Sequence, residues 1–313
     1  MKVFVAGGTG VVGVRLVPSL VGRGHEVAAT TRSPHKGQRL RSMGAEPVVL
    51  DAFDEVAVKE ALARFGPDVV VNQLTAIPDE LSFRRFDRDF EPTNRLRTEG
   101  NDLLVRAAED AGVRRFVAQS YAAWPYERRG TWIKDETEPL DDDPPPNMRR
   151  TLDAIRHLEY AVLGANGLEG VVLRYGGFYG PGTSMGEGGP IPEMIRKRRF
   201  PIVGSGAGVF SFIHIDDAAA ATVAAVESDV TGIFNVTDDE PAPVHEWLPV
   251  LADALGAPPP RRIPTWLARP MLGEVGIAMM TTIRGASNAK AKRELGWVPA
   301  HPTWRQGFRD ALG

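Results

Sequence analysis

The sequence has no cysteine among its 313 residues. This excludes disulfide bonds, thiolate metal sites and a cysteine nucleophile, and it is typical of a reducing cytoplasm. The six histidines contain no i, i+4 pair, which excludes a His-x-x-x-His zinc helix, and we expect no metal. No segment approaches the roughly 18 apolar residues that span a bilayer. The net charge of -3 gives no basic footprint for nucleic acid. We therefore expect a soluble, cytoplasmic protein that binds neither nucleic acid nor a membrane.

Short β-branched segments alternate with longer amphipathic segments along the N-terminal part of the chain. The predicted strands cover residues 2–6, 26–30, 47–50, 68–74, 115–119 and 170–174. The predicted helices cover residues 10–22, 34–43, 55–65, 91–111 and 149–165. Apolar strands separated by helices predict an α/β protein with a Rossmann-type doubly wound parallel sheet. We expect a dinucleotide-binding domain at residues 1–175 and a smaller C-terminal substrate lobe at 176–313, with segments near 209–236 returning to the core.

A glycine-rich turn joins the first predicted strand to the first predicted helix. Residues 7–13 read GGTGVVG, which satisfies both Gly-x-x-Gly-x-x-Gly and Gly-x-Gly-x-x-Gly. Glycine permits a positive φ, and without a Cβ the free N–H groups of the helix stay accessible to a diphosphate. Between a strand and an amphipathic helix, this pattern favours a dinucleotide site. The predicted cofactor contacts of the turn are Gly7, Thr9, Gly10, Val11, Val12 and Gly13.

The end of the second predicted strand bears on the choice between NADP and NAD. NAD-binding units carry an acidic residue about 20 residues after the glycines, where it binds the ribose 2′-hydroxyl. Here no carboxylate lies between Glu26 and Glu46, and Arg32 follows the strand. A guanidinium can bind a 2′-phosphate through two hydrogen bonds, which favours NADP(H). Arg32 stacked on the adenine would serve either cofactor, so NAD stays open. Asp51, which ends the third strand, is a candidate ligand of the adenine amino group.

Several motifs resemble those of the extended short-chain dehydrogenase/reductase superfamily, of the NAD(P)-dependent epimerase/dehydratase type. Besides the glycine turn, they are Asn94-x-x-x-Thr98, LRYGGFYGP at 173–181, FIHIDD at 212–217 and ELGW-x-P at 294–299. The resemblance covers nearly the whole chain. It implies a Rossmann fold, a nicotinamide cofactor and a homodimer through the helices at 91–111 and 149–165. Further cofactor contacts are expected at Ser33, Ala52, Leu74, Thr75, Asn94, Gln119, Tyr175 and Phe178.

The catalytic motif of that superfamily is absent. Its members use a Tyr-x-x-x-Lys helix, in which the lysine lowers the pKa of the tyrosine. None of the five tyrosines here has lysine four residues later. Aligned on Glu159, Thr151 stands at the tyrosine position and Ile155 at the lysine position. We therefore expect a relocated acid after the fifth strand, and the alternative is that these side chains pack in the core or line an apolar pocket. The candidate catalytic residues are Tyr121, which is favoured, Tyr126 and Ser120.

Three functions fit these observations. The first is an NADP(H)-dependent oxidoreductase acting on a carbonyl or alcohol of a small or medium organic substrate. Its pocket would be formed by residues 121–126, a mobile glycine-rich lid at 176–189, and segments near Met185, Phe210 and Trp266. The alternative is a non-catalytic NADP(H)-binding sensor, which the absence of the Tyr-x-x-x-Lys pair favours. A nucleotide-sugar epimerase/dehydratase is a lesser alternative, because it needs the efficient base that the missing tyrosine supplies.

Overall fold

The structure is a computed structural model that describes residues 1–78 and 81–312. Its strands are β1 Lys2–Ala6, β2 Glu26–Thr31, β3 Glu46–Val49, β4 Val69–Asn72, β5 Arg115–Tyr121, β6 Ile133–Lys134, β7 Glu169–Tyr175, β8 Gly177–Tyr179, β9 Ile202–Val203, β10 Val209–Phe210, β11 Phe212–His214, β12 Gly232–Val236, β13 Ala242–Pro243, β14 Arg262–Ile263 and β15 Gly285–Ala286. Its α-helices are α1 Gly13–Gly22, α2 Gly37–Ser42, α3 Glu55–Phe65, α4 Phe86–Asp89, α5 Glu91–Arg95, α6 Asn101–Asp110, α7 Arg149–Leu163, α8 Pro190–Arg196, α9 Ile215–Glu227, α10 Val244–Ala254, α11 Thr265–Thr281, α12 Ala289–Glu294 and α13 Trp304–Leu312.

Seven strands form one parallel sheet in the order β12-β7-β5-β4-β1-β2-β3. Val3 in β1 lies opposite Val27 on one side and Val69 on the other. From β1 the chain builds outward to β3, and it then crosses to β4 and builds outward in the opposite direction. The carboxyl ends of parallel strands meet at one edge, and the crevice beside such a reversal is where ligands bind in open α/β sheets. The predicted doubly wound α/β fold is therefore confirmed.

Helices cover both faces of the sheet. Adjacent residues of β1 point to opposite sides, so that Val3 and Val5 join one apolar cluster and Phe4 joins the other. The first cluster includes residues of α1 and α9, and the second includes residues of α3, α6 and α7. Leu16 of α1 and Leu62 of α3 are fully buried, and each such side chain stabilises the fold by about 1.5–3 kcal/mol.

Several predicted boundaries differ from the structure where the site lies. The first helix begins at Gly13 instead of residue 10, because residues 10–12 remain in the turn. The helix predicted at 91–111 runs from Glu91 to Asp110, but its central segment Leu96–Gly100 is π-helical. The predicted strand 115–119 extends to Tyr121. The expectation of an irregular lid at 176–189 is wrong for residues 177–179, since β8 pairs with β11 there.

The chain beyond β8 builds a second apolar core that is rich in aromatic rings. Phe212 lies at its centre, with ring centroids 5.3 Å from Trp247, 5.4 Å from Phe308 and 6.3 Å from Trp304. The chain does not stay in this second core. Between its segments, α9 packs on the main sheet and β12 forms an edge strand of that sheet. The division into two domains stays a prediction. No helix in the described residues combines the length and the apolar character needed to cross a membrane.

Candidate functional site

In the glycine-rich turn between β1 and α1, the positions of Gly7 and Gly13 have no room for a side chain. Gly7 has a φ of +92°, and a Cβ on it would lie 2.9 Å from the carbonyl oxygen of Gln73. A Cβ on Gly13 would lie 2.4 Å from the carbonyl oxygen of Gly7. No side chain caps α1, and the backbone N–H groups of Val11 and Val12 donate to no acceptor within residues 1–78 and 81–312. The cradle therefore fits a diphosphate, whose oxygens can accept these N–H groups.

Cations surround the end of β2. Arg32, directly after the strand, and Lys36 and Arg39 on the following turns all have exposed side chains. Ser33 is half-buried, and its backbone N–H donates to Thr31 Oγ1 over 3.2 Å. The electrostatics of this corner thus favour an anionic group.

The other predicted cofactor contacts lie after or within several strands. Asp51 and Ala52 follow β3, and Leu74 and Thr75 follow β4, whereas Gln119 lies within β5 and Phe178 within β8, which pairs with β11 outside the main sheet. Asp51, Thr75, Leu74, Gln119 and Phe178 are exposed or half-buried, and Ala52 and Asn94 are buried. Thr9 and Gly10 lie in the turn itself. Tyr175 differs, because it is fully buried and its hydroxyl bonds to Gln73 Nε2 over 3.1 Å and to Thr222 Oγ1 over 2.6 Å. The side chain of Tyr175 belongs to the core, and its contact with a cofactor stays a prediction.

The two positions at which the superfamily has tyrosine and lysine are closed by packing. Thr151 is fully buried, and its hydroxyl lies 2.7 Å from Asp87 Oδ1, which also accepts the backbone N–H of Thr151 over 2.9 Å. Asn94 Nδ2 donates to the same hydroxyl over 3.0 Å. Ile155 is buried in an apolar cluster that also contains Trp124. Neither position offers a group for acid–base chemistry.

Two of the three candidate catalytic residues belong to a buried polar network. Ser120 Oγ donates to Glu159 Oε1 over 2.7 Å, and Arg174 binds both oxygens of Glu159 over 2.8 and 2.6 Å. Burial disfavours the charge of Arg174, but the hydrogen bonds and charge of Glu159 outweigh it and raise the Arg174 pKa. Tyr126 is fully buried, with its hydroxyl 2.6 Å from Asn235 Oδ1 and 3.0 Å from Arg174 Nη1. These hydroxyls hold β5, α7, β7 and β12 together, and their catalytic roles stay predictions.

Tyr121 has a different environment. It is the last residue of β5, it is half-buried, and its ring lies 6.0 Å from Trp124 at the edge of the apolar cluster that contains Ile155. Its hydroxyl has no hydrogen-bond partner in the described part of the chain. Burial raises the pKa of Tyr121 to about 12, and the positive charge of Arg97 opposes that rise. Tyr121 therefore stays protonated near neutral pH and can act as a proton donor.

Arg97 is a functional candidate that the sequence reasoning missed. It lies in the π-helical segment Leu96–Gly100 and exposes only 6% of its surface. Its one sequence signal is its position three residues after Asn94, which places both on one side of the helix.

The structure brings together only some of the residues predicted to line the substrate pocket. Phe210 packs against the same apolar cluster as Tyr121, whereas Trp266 is 73% exposed on α11. Met185 is buried in the second core.

Comparisons with known proteins agree with this geometry. The model of the NAD dependent epimerase/dehydratase family matches residues 3–237. A "3-diazoavenalumate denitrifying reductase" from a Streptomyces species is 46% identical over 98% of this chain and 99% of its own. Among solved structures, the UDP-glucose 4-epimerase of Thermus thermophilus in complex with NAD is 25% identical, with a TM-score of 0.74 over 100% of this chain and 98% of that chain. A human epimerase family protein with NADPH has a TM-score of 0.76 at 22% identity, over 100% of this chain and 99% of that chain.

Proposed function

The chain belongs to the NAD dependent epimerase/dehydratase family, and we propose that it is an NADP(H)-dependent reductase in which Tyr121 is the proton donor. The substrate is a small or medium organic molecule with a carbonyl or a comparable electrophilic group. The relative from Streptomyces carries the name of a reductase, which supports reduction over the epimerase and dehydratase chemistry of other members.

One observation carries the proposal: among the five tyrosines, Tyr121 alone lies at the carboxyl edge of the sheet with a hydroxyl that has no hydrogen-bond partner in residues 1–78 and 81–312. Tyr126 and Tyr175 are fully buried and their hydroxyls are hydrogen-bonded. Tyr179 is fully buried between His214 and Phe308 in the second core, and Tyr160 on α7 is 83% exposed. Tyr121 ends β5 at the carboxyl edge of the sheet, where the switch point of the strand order places a bound dinucleotide.

The residues of this chain then divide the work. The turn at 7–13 holds the diphosphate on backbone N–H groups, and the nicotinamide cofactor supplies a hydride when it is bound. Tyr121 donates its proton to the substrate oxygen on which negative charge develops. The apolar cluster beside Tyr121, with Trp124 and Phe210, excludes water and favours an apolar or aromatic group next to the reacting atom. For the adenosine end, exposed Arg32 and Lys36 support NADP(H) over NAD(H).

The proposal is tested by the consumption of NADPH with a panel of aryl and alkyl ketones and with 3-diazoavenalumate. With an accepted substrate, Tyr121→Phe should lower kcat by about 10²–10⁴-fold, since this is the usual contribution of a positioned proton donor. Tyr160→Phe, which changes an exposed tyrosine, is the matched control and should leave kcat unchanged. Full turnover by Tyr121→Phe would remove Tyr121 from the mechanism. Tight NADPH binding without turnover of any substrate would favour the sensor instead.

A further inference from the structure

The guanidinium of Arg97 is buried, and its positive charge acts on Tyr121. Arg97 Nη1 is inaccessible to solvent and makes no hydrogen bond in the described part of the chain. Burial disfavours the charge of Arg97 and lowers its pKa, although a guanidinium stays protonated in proteins. Only the charges of Tyr121 and Glu159 act against that loss. Leaving a buried cation uncompensated is costly, so proteins pair such groups or use them.

Glu159 does not serve as the counter-ion of Arg97. Its two oxygens accept three hydrogen bonds, two from Arg174 and one from Ser120. The negative charge of Glu159 is therefore already compensated inside its own network. The other group whose negative charge acts on Arg97 is the Tyr121 phenol, which has no hydrogen-bond partner among the described residues.

The helix that carries Arg97 is shaped for this position. Leu96–Gly100 is π-helical, and single π turns inside α-helices are frequent at functional sites. One turn earlier, Asn94 donates to Thr151, and its buried Oδ1 has no partner in the described residues. Asn94 thus faces α7 at Thr151, and Arg97, three residues later, lies on the same side of the helix. One turn after Thr151, Ile155 of α7 belongs to the apolar cluster against which Tyr121 packs. A buried polar group without a partner requires an explanation, and a hydrogen bond that forms only during function is one such explanation.

We infer that Arg97 and Tyr121 act as one unit, in which the guanidinium stabilises the tyrosinate that remains after Tyr121 has donated its proton. This inference rests on the proposed function. In the step, the Tyr121 O–H bond breaks and its proton bonds to the substrate oxygen, which has become negative because the carbonyl carbon accepted a hydride from NADPH. The negative charge stays on Tyr121 Oη beside Arg97 until solvent returns a proton. Arg97 is a positioning residue in this scheme, because it acts through Tyr121.

The first test titrates Tyr121 directly and needs no activity. Protein with ¹³Cζ-labelled tyrosine is followed by NMR to the highest pH at which it stays folded, and the Tyr121 signal is assigned with Tyr121→Phe. Arg97→Met should raise the Tyr121 midpoint by about one pH unit or more, which is the usual effect of losing a nearby opposite charge. Arg97→Lys should restore most of the shift. Arg106→Met, which removes an exposed cation from α6, is the matched control. An unchanged midpoint in Arg97→Met would overturn the inference, even if Tyr121→Phe is inactive.

The second test is a kinetic double-mutant cycle on reduction by NADPH. Arg97→Met should lower kcat by about 10²-fold, as for other groups that stabilise developing charge, and should change KM little. In the Tyr121→Phe background the same substitution should have no further effect, because Arg97 acts through Tyr121. A higher KM with unchanged kcat, additive to Tyr121→Phe, would make Arg97 an anchor for a substrate anion and would overturn the inference. A shifted NMR midpoint with full turnover by Tyr121→Phe would instead overturn the proposed function and the catalytic step with it.

Folding does not obscure these tests. The Arg97 side chain makes no hydrogen bond in the described residues, so its replacement by methionine removes an uncompensated buried charge and leaves no partner unsatisfied. The melting temperature of Arg97→Met should equal or exceed that of the wild type. A clear decrease would mean that Arg97 stabilises the fold through an interaction of its own, and it would count against the inference.

Discussion

Removal of the Glu159 carboxylate should destabilise the protein strongly. Glu159 is the shared acceptor of Ser120 Oγ and of both arms of Arg174, which exposes only 3% of its surface. Glu159→Leu keeps most of the volume but leaves the Arg174 guanidinium buried without a counter-ion. Breaking a buried pair on one side costs about 3–5 kcal/mol. Since domains are stable by only about 5–15 kcal/mol, this is a large fraction of the free energy of unfolding.

The assay is urea denaturation followed by tryptophan fluorescence. Glu159→Leu should unfold at a much lower urea concentration than the wild type, whereas Ser120→Ala should lose about 1 kcal/mol, because both bonds from Arg174 remain. Glu193→Gln, on the exposed Glu193–Lys197 pair of α8, is the control and should not move the midpoint. A Glu159→Leu variant as stable as the wild type would refute the role of Glu159 as an essential counter-ion. Loss of turnover by Ser120→Ala at full stability would show that Ser120 acts on the substrate and not in the network.

Three further predictions concern the cofactor site and the stability of the fold at acidic pH. Gly13→Ala should abolish NADPH binding in calorimetry, because its Cβ would lie 2.4 Å from a carbonyl oxygen of the turn. Gly22→Ala is the control and should bind NADPH normally, because no atom lies within 4 Å of its Cβ. Arg32→Ala should weaken NADPH binding more than NADH binding, and equal losses would contradict a 2′-phosphate contact. The hydrogen bond from Arg23 lowers the pKa of Glu227 from 4.5 to about 2, so Glu227 stabilises the fold above pH 4.5 and this contribution is lost as the pH falls towards 2. Glu227→Gln should therefore flatten the melting temperature between pH 4.5 and 2, and an unchanged slope would contradict the assignment.

The sheet and the phosphate turn could be predicted from the sequence because their signals are local. The helix predicted at 55–65 is Glu55–Phe65 in the structure, since both of its ends are encoded nearby. Asp54 Oδ1 accepts the N–H of Ala57 at the start, and Gly66 adopts a φ of +61° at the end, where other residues would be strained. The signal of the glycine turn is equally local. The backbone at residues 7 and 8 passes close to Gly13, and because glycine has no Cβ this close approach is possible.

The polar interior of the site could not be predicted in the same way. The hydroxyl of Tyr126 bonds to Asn235, which is 109 residues away, and no spacing in the sequence indicates that contact. Arg97 lies on an amphipathic helix on which a charged residue is normally interpreted as solvent-facing. It is buried nevertheless, and it lies in the π-helical segment Leu96–Gly100, whose geometry has no distinct propensity signal. Long-range pairing and local helix geometry therefore decided what the residue types alone left open.

The missing Tyr-x-x-x-Lys motif corresponds to a packed arrangement that leaves no space for those side chains. Asp87 accepts the backbone N–H groups of Arg150 and Thr151 at the start of α7 and also bonds to the Thr151 hydroxyl. A phenol at position 151 would have to displace this cap, and an ammonium at position 155 would be buried beside apolar rings without a counter-ion. Positions 151 and 155 of α7 therefore supply no proton donor, and in the proposed site the donor comes from another element. The end of β5 is next to α7 and carries Tyr121, and the neighbouring helix supplies Arg97 as the positive charge. In the proposed site a phenol and a cation are thus both present, but two different elements provide them.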